Sequence, residues 1–193
     1  MLKDKKYLAL FDLDGTLFDT SEVNYYAYKD ALKPFGVSLE REYFVTECNG
    51  RHYKEFLPII MGTDEYIEEV HKLKKDKYAQ NLGKAIENKH LFAMAKVMCS
   101  TYHLAIVTTA SRKNAMDILK YFGYESLFEY MVTQEDITRV KPDSEGFEIA
   151  MRHFNASPAN TIIFEDSDVG IQAAKATGAS VLIVSQSWYD TRR

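Results

Sequence analysis

Short apolar runs recur along the chain, each followed by a polar turn and then a pattern with helical spacing. The runs cover 7–11, 104–107, 130–132, 161–164 and 181–184, and none alternates with polar residues. Strands buried on both faces of a parallel sheet have this pattern. Helices are predicted between them over 90–101, 112–122, 144–154 and 169–177. Strands alternating with helices predict an α/β domain with a doubly wound parallel, Rossmann-like sheet.

One stretch breaks the alternation. From Thr20 to Gly83 the sequence holds four helical patterns, at 22–35, 40–47, 53–60 and 64–81, and no good strand. More than about sixty residues is too long for a simple crossover loop. A small helical cap inserted after the first strand is therefore expected, with 1–19 and 84–193 forming the α/β core and 20–83 the cap. Asp19-Thr20-Ser21-Glu22 reads as a capping box with Asp19 at the N-cap and Glu22 at N3. Tyr25, Tyr26 and Tyr28 read as packing within the cap.

Composition removes several function classes. With 193 residues and 46% hydrophobic positions the chain can bury a core. A net charge of −4 offers no basic surface for nucleic acid or anionic lipid. No stretch approaches the roughly 18 apolar residues of a membrane span. The amino-terminal apolar run is too short for a signal peptide. Cys48 and Cys99 share neither metal-ligand nor disulfide spacing, and Cys48 reads as packed rather than reactive. A reduced, cytoplasmic protein is expected, of unspecified oligomeric state.

The chemistry gathers where the predicted strands end. In open α/β sheets the ligand crevice lies beyond the carboxyl ends of the strands. The first strand ends in Asp12-Leu13-Asp14-Gly15-Thr16, the second in Thr108-Thr109-Ala110-Ser111, and the fourth in Glu165-Asp166-Ser167-Asp168. Val140-Lys141-Pro142 follows the third. Two carboxylates about 4 Å apart repel by about 4 kcal/mol at an effective dielectric near 20. Such a cluster calls for a cation, and oxygen donors favour magnesium. Magnesium beside a lysine and a hydroxyl suits a phosphoryl group, which one aspartate could take as a nucleophile.

The motifs DLDGT, a strand-ending Thr, Lys-Pro before a helix, and EDSDVGIQAAKATGA resemble, in that order, the four motifs of the haloacid dehalogenase superfamily. The nearest likeness is to its phosphoglycolate phosphatase and β-phosphoglucomutase-like branch, over nearly the whole chain. The resemblance implies that Asp12 is the nucleophile and a metal ligand. It implies that Asp14 gives a main-chain carbonyl to the metal and acts as general acid and base. Thr108 would hold a phosphoryl oxygen, aided by backbone N–H groups near Leu13 and Thr109. Lys141 would neutralise nucleophile and phosphate, while Asp166 with Glu165 would complete the metal site. Gly15 fits a tight turn and Gly170 a close backbone approach. The family pattern continues after Val184 with another strand and helix, which is not seen in Ser185–Arg193, so a core of near-minimum size is implied.

Ser111 is the better N-cap for the helix after the second strand, and Asp168 is expected to cap 169–177. In the cap, Asn49-Gly50-Arg51-His52 reads as a turn whose Arg51 and His52 are candidates for substrate binding. The expected function is a magnesium-dependent phosphatase acting on a small phosphorylated metabolite through an aspartyl-phosphate. The alternative is a phosphomutase of the β-phosphoglucomutase type. A receiver-type signalling module also combines Asp, Thr, Lys and magnesium, but it has no helical insert and carries its phosphorylated Asp on a later strand.

Overall fold

The computed structural model describes residues 5–189. The chain divides into two compact units: Thr20–Ala85, and the described residues up to Asp19 and from Ile86 onward.

Along the chain the elements are β1 (Tyr7–Phe11), β2 (Phe18–Asp19), α1 (Ser21–Leu32), α2 (Arg41–Tyr43), α3 (Tyr53–Met61) and α4 (Ile67–Tyr78). They continue with β3 (Ile86–Glu87), α5 (Lys89–Met98), β4 (Tyr102–Val107), α6 (Arg112–Phe122), β5 (Tyr130–Val132), α7 (Glu145–His153), β6 (Thr161–Glu165), α8 (Asp168–Ala176) and β7 (Ser180–Ile183). Five strands form one sheet in the order β5-β4-β1-β6-β7, with every pairing parallel. This is the α/β architecture that the apolar runs predict.

Strand β1 lies at the centre, and Leu8, Ala9, Leu10 and Phe11 are all fully buried. Side chains alternate across a strand. Leu8 and Leu10 pack with Phe147, Ala150, Ala173 and Ala174 of α7 and α8. Phe11 stacks on Phe164 at 4.5 Å and meets Phe128 edge-on at 5.7 Å. Register does the positioning. Phe11 is level with Ile106 of β4 and Phe164 of β6, so the next residues, Asp12, Val107 and Glu165, come level at the carboxyl edge.

Several expected boundaries shift for local reasons. β4 starts at Tyr102, because half-buried Tyr102 and His103 continue the ladder opposite Tyr7 and Leu8. α5 stops at Met98, beyond which the Ser100 and Thr101 hydroxyls donate to the Val97 and Met98 carbonyls. The capping box at Asp19 does not form: Asp19 pairs with Ile86 in the short antiparallel β2–β3 ladder, and Thr20 is the N-cap of α1. Ser167, not Asp168, caps α8, its hydroxyl accepting from Gly170 N–H at 3.2 Å; Asp168 sits in the first turn. Ser111 caps α6 as expected. No helix among the described residues is long and apolar enough to cross a membrane.

The helical unit has its own core. Tyr25, Tyr28, Ala31 and Leu32 of α1 pack with Phe44, Cys48, Phe56, Leu57 and Val70. Tyr28 meets Phe56 edge-on at 5.1 Å, and the Tyr25 hydroxyl donates to the Leu39 carbonyl. The helix predicted over 40–47 becomes α2 followed by a π-helical turn, Phe44–Cys48. Burial pushes the Cys48 thiol up, which disfavours the reactive thiolate.

His71 stacks on Tyr53 with ring centroids 3.7 Å apart, and neither ring nitrogen has a hydrogen-bond partner among the described residues. Burial first, then Lys75 and Lys74, lowers its pKa to about 4. An unfolded histidine titrates near 6.5. The neutral ring therefore contributes stability that is present above about pH 6.5 and lost as pH falls towards 4. His71→Phe keeps the stack and removes the basic nitrogens. Its unfolding midpoint is expected to fall less than that of the parent between pH 7 and pH 4.5; equal falls would contradict this reading.

Candidate active site

Asp12 follows β1 directly, and its N–H donates to the Phe164 carbonyl at 3.0 Å, which continues the β1–β6 ladder by one residue. The chain then turns back sharply. Gly15 N–H donates to Phe18 O at 2.7 Å, and the Leu17 and Phe18 N–H groups both donate to Leu13 O. Gly15 has φ +91°, which L side chains rarely adopt, and a Cβ there would overlap the Asp166 carboxylate. Asp166 is thus packed onto the turn. The Thr16 hydroxyl fixes it further, donating to Asp166 Oδ1 at 2.8 Å.

Glu165, the last residue of β6, is fully buried. Its Oε2 accepts from Asp166 N–H at 2.8 Å, Ser167 N–H at 3.0 Å and the Ser167 hydroxyl at 3.1 Å. Its Oε1 accepts from Lys141 Nζ at 2.5 Å. The same ammonium donates to Asp12 Oδ1 at 2.5 Å and to the Val107 carbonyl at 3.3 Å. Lys141 therefore ties together the ends of β1, β4 and β6. The loop presenting it is pinned by Glu145 at the start of α7, which accepts from Thr138 N–H, the Thr138 hydroxyl and Arg139 N–H.

Charge in this cluster is unbalanced. Asp12, Glu165 and Asp166 each offer an oxygen within 4.8 Å of the others'. Lys141 is the ammonium that bonds two of them. Burial works against its charge, but Asp12 and Glu165 outweigh that and raise its pKa. Burial also raises Asp12, Lys141 opposes the rise, and the net direction is well upward. Asp166 is raised to about 6 by burial, with the Glu165 charge adding and the Thr16 hydrogen bond opposing. Three convergent carboxylates fit a hard divalent cation, which takes oxygen ligands. The donor set therefore suits magnesium, and Asp12 and Asp166 are the members with the least committed oxygens.

The remaining strand end adds a hydroxyl. Thr108 follows β4 and is buried, its N–H donating to Val132 O and its Oγ accepting from Ala110 N–H at 3.0 Å. A hydroxyl also has one O–H to donate, which suits it to an anion's oxygen. Thr109 beside it is exposed, and both line a small pocket with Val107, Lys141 and Phe147.

The family model for haloacid dehalogenase-like hydrolases matches residues 9–184. The chain belongs to this family. A phosphorylated carbohydrates phosphatase of Thermotoga maritima is 28% identical over 177 residues, covering 88% of this chain and 80% of that protein. A validoxylamine A 7'-phosphate phosphatase of Streptomyces hygroscopicus subsp. limoneus is 31% identical over 180 residues, covering 89% and 82%. The solved structure of CbbY from Rhodobacter sphaeroides in complex with phosphate superposes with a TM-score of 0.79 at 22% identity, covering 97% of this chain and 90% of that one. The reading of the protein as a phosphoric monoester hydrolase of this superfamily stands.

In this haloacid dehalogenase-like hydrolase, Asp12, Thr108, Lys141, Glu165 and Asp166 come together at one sheet edge. Asp14 lies half-buried in the same turn, bridged to Phe18, and its side chain is not one of the three clustered carboxylates. Arg51 and His52 belong to the helical unit and are exposed. Arg51 donates to Glu55 at 3.3 Å and to the Glu47 carbonyl at 3.0 Å, and His52 caps α3. Local bonds thus shape that turn.

Thr16, Ser167 and Glu145 carry positioning roles that sequence reasoning missed. The Thr of DLDGT and the Ser of EDSD were visible within motifs, whereas nothing marked Glu145. Gly170 shows the close approach expected of it: a Cβ there would overlap the Glu165 carboxylate. Gly170→Ala is therefore expected to displace Glu165, unseat Lys141 and lower kcat at least about tenfold, the scale on which removing a group that supports a site acts. Steady-state kinetics beside a melting curve checks this, and wild-type kcat in the folded variant would contradict it.

Proposed function

We propose that this hydrolase is a magnesium-dependent phosphatase that acts on a small phosphorylated metabolite through an aspartyl-phosphate on Asp12. The observation carrying the reading is the buried Lys141 bridge between Asp12 and Glu165, beside Asp166 and the Thr108 hydroxyl. The names of the two curated relatives, both phosphatases of phosphorylated compounds, support it. Magnesium would be held by Asp12, Asp166, the Asp14 carbonyl and the Glu165 side of the cluster. When bound, it supplies positive charge against the phosphoryl oxygens.

The chain's own groups do the rest. Asp12 attacks phosphorus, and the bond from phosphorus to the leaving oxygen breaks. Asp14 gives that oxygen a proton, then takes one from the water that attacks phospho-Asp12 and releases inorganic phosphate. Lys141 and Thr108 hold charge that develops on the phosphoryl group, with backbone N–H support near Leu13 and Thr109. The helical unit serves as a cap, and its Arg51 and His52 contact the substrate away from phosphorus. The setting is cytoplasmic, which the free thiols Cys48 and Cys99 support.

A hydrolysis screen over phosphorylated metabolites, with magnesium and with chelator, tests the proposal. Wild-type protein is expected to release inorganic phosphate in magnesium alone, and Asp12→Asn to retain less than about 1% of kcat, in line with losing a covalent nucleophile. Release in chelator, or by Asp12→Asn, would contradict it. Conversion of a sugar phosphate to its isomer, without inorganic phosphate, would favour the mutase instead.

Arg51→Ala and His52→Ala are expected to change kcat/KM unequally across the same panel. Binding energy remote from phosphorus depends on the leaving group, so truncating either side chain harms some substrates more than others. A uniform wild-type pattern would return both residues to shaping their own turn.

A further inference from the structure

The carboxyl end of the described chain returns to the site. After β7, Val184 N–H donates to the Glu165 carbonyl at 2.7 Å, and a single 3₁₀ turn, Gln186–Trp188, follows. Tyr189 follows it and is 6% exposed. Its hydroxyl donates to the Thr16 carbonyl at 3.0 Å. Asn88 is fully buried on the return from β3, and its Nδ2 donates to the same carbonyl at 3.2 Å. A carbonyl has two lone pairs, and here both have a donor.

Thr16 itself is fully buried, and its own hydroxyl holds Asp166. The Asp166 carboxylate also lies against Gly15, where a Cβ would overlap it. Rotation of the Thr16 peptide therefore moves the surface on which Asp166 rests. We infer that Tyr189 is a positioning residue for the metal site, its hydroxyl sharing the Thr16 carbonyl with Asn88 so that the Thr16 side chain holds Asp166 in place for the cation. This rests on the magnesium reading given above. Burial and the neighbouring Asp166, Asp19, Asp12 and Asp14 charges raise the tyrosine pKa, which keeps the hydroxyl a donor at any working pH.

The test is magnesium binding to the metal-free protein by calorimetry, with turnover of p-nitrophenyl phosphate at saturating magnesium measured beside it. Tyr189→Phe removes only the hydroxyl. Groups that orient metal ligands from outside commonly change affinity by about 10–100-fold. One step further out, an increase of about three- to tenfold in the magnesium Kd is expected, with kcat at saturation within about twofold. Thr16→Val cuts the next link and gives a second reading if Tyr189→Phe is too unstable to assay. It is expected to weaken magnesium at least as much, and the double variant to add little to it, because both act through one chain of bonds. A lower melting temperature with unchanged magnesium Kd would overturn the inference, as would fully additive losses. Absence of magnesium binding by the wild type would overturn the metal reading itself, and the inference with it.

Discussion

A buried ammonium between two buried carboxylates is the constraint around which this site is arranged. Lys141 Nζ lies 2.5 Å from both Asp12 and Glu165, in surroundings where an unpaired charge would cost several kcal/mol. Each partner therefore has to be held firmly. The β1–β6 register brings Asp12 and Glu165 level, the Ser167 turn saturates Glu165, and Glu145 pins the loop before Lys141. The sheet gives the constellation a rigid base, since β1 is fully buried from Leu8 to Phe11.

The same cluster retains an excess of negative charge beyond what one lysine neutralises. Burial is the first cause of the raised pKa values of Asp12 and Asp166, and the neighbouring carboxylate charge adds to it, so the cluster prefers protons. A divalent cation would satisfy it in another way and would release those protons on binding. The acids thus bear on binding as well as on fold. Asp166 sits between the two, packed on Gly15 and bonded to Thr16 while facing Asp12.

Much of this was legible because it is local or periodic. The unbroken apolar run at 7–11 marked a central parallel strand, and β1 and β5 match their predicted limits. The motif residues were legible from their chemistry and order, and the geometry brings five of them to one edge. What was not legible depends on tertiary structure. β2 and β3 are two residues each, too short for any pattern, yet their pairing takes Asp19 out of the expected cap. Ser167 outcompetes Asp168 because its hydroxyl reaches Gly170 N–H while also serving Glu165. Asn88 and Tyr189 lie 72 and 173 positions from the carbonyl they share, and no spacing rule links them to it.

If Asp12, the carboxylate held by Lys141, is the nucleophile, it carries the phosphoryl group during turnover, and that group can be located. Wild-type protein mixed with substrate and magnesium is quenched in acid within milliseconds, digested, and mapped by mass spectrometry. An acid-stable, base-labile acyl phosphate is expected on the peptide containing Asp12, absent without magnesium and absent in Asp12→Asn. Turnover with no phosphorylated peptide at any quench time, or with the phosphoryl group on another residue, would contradict it.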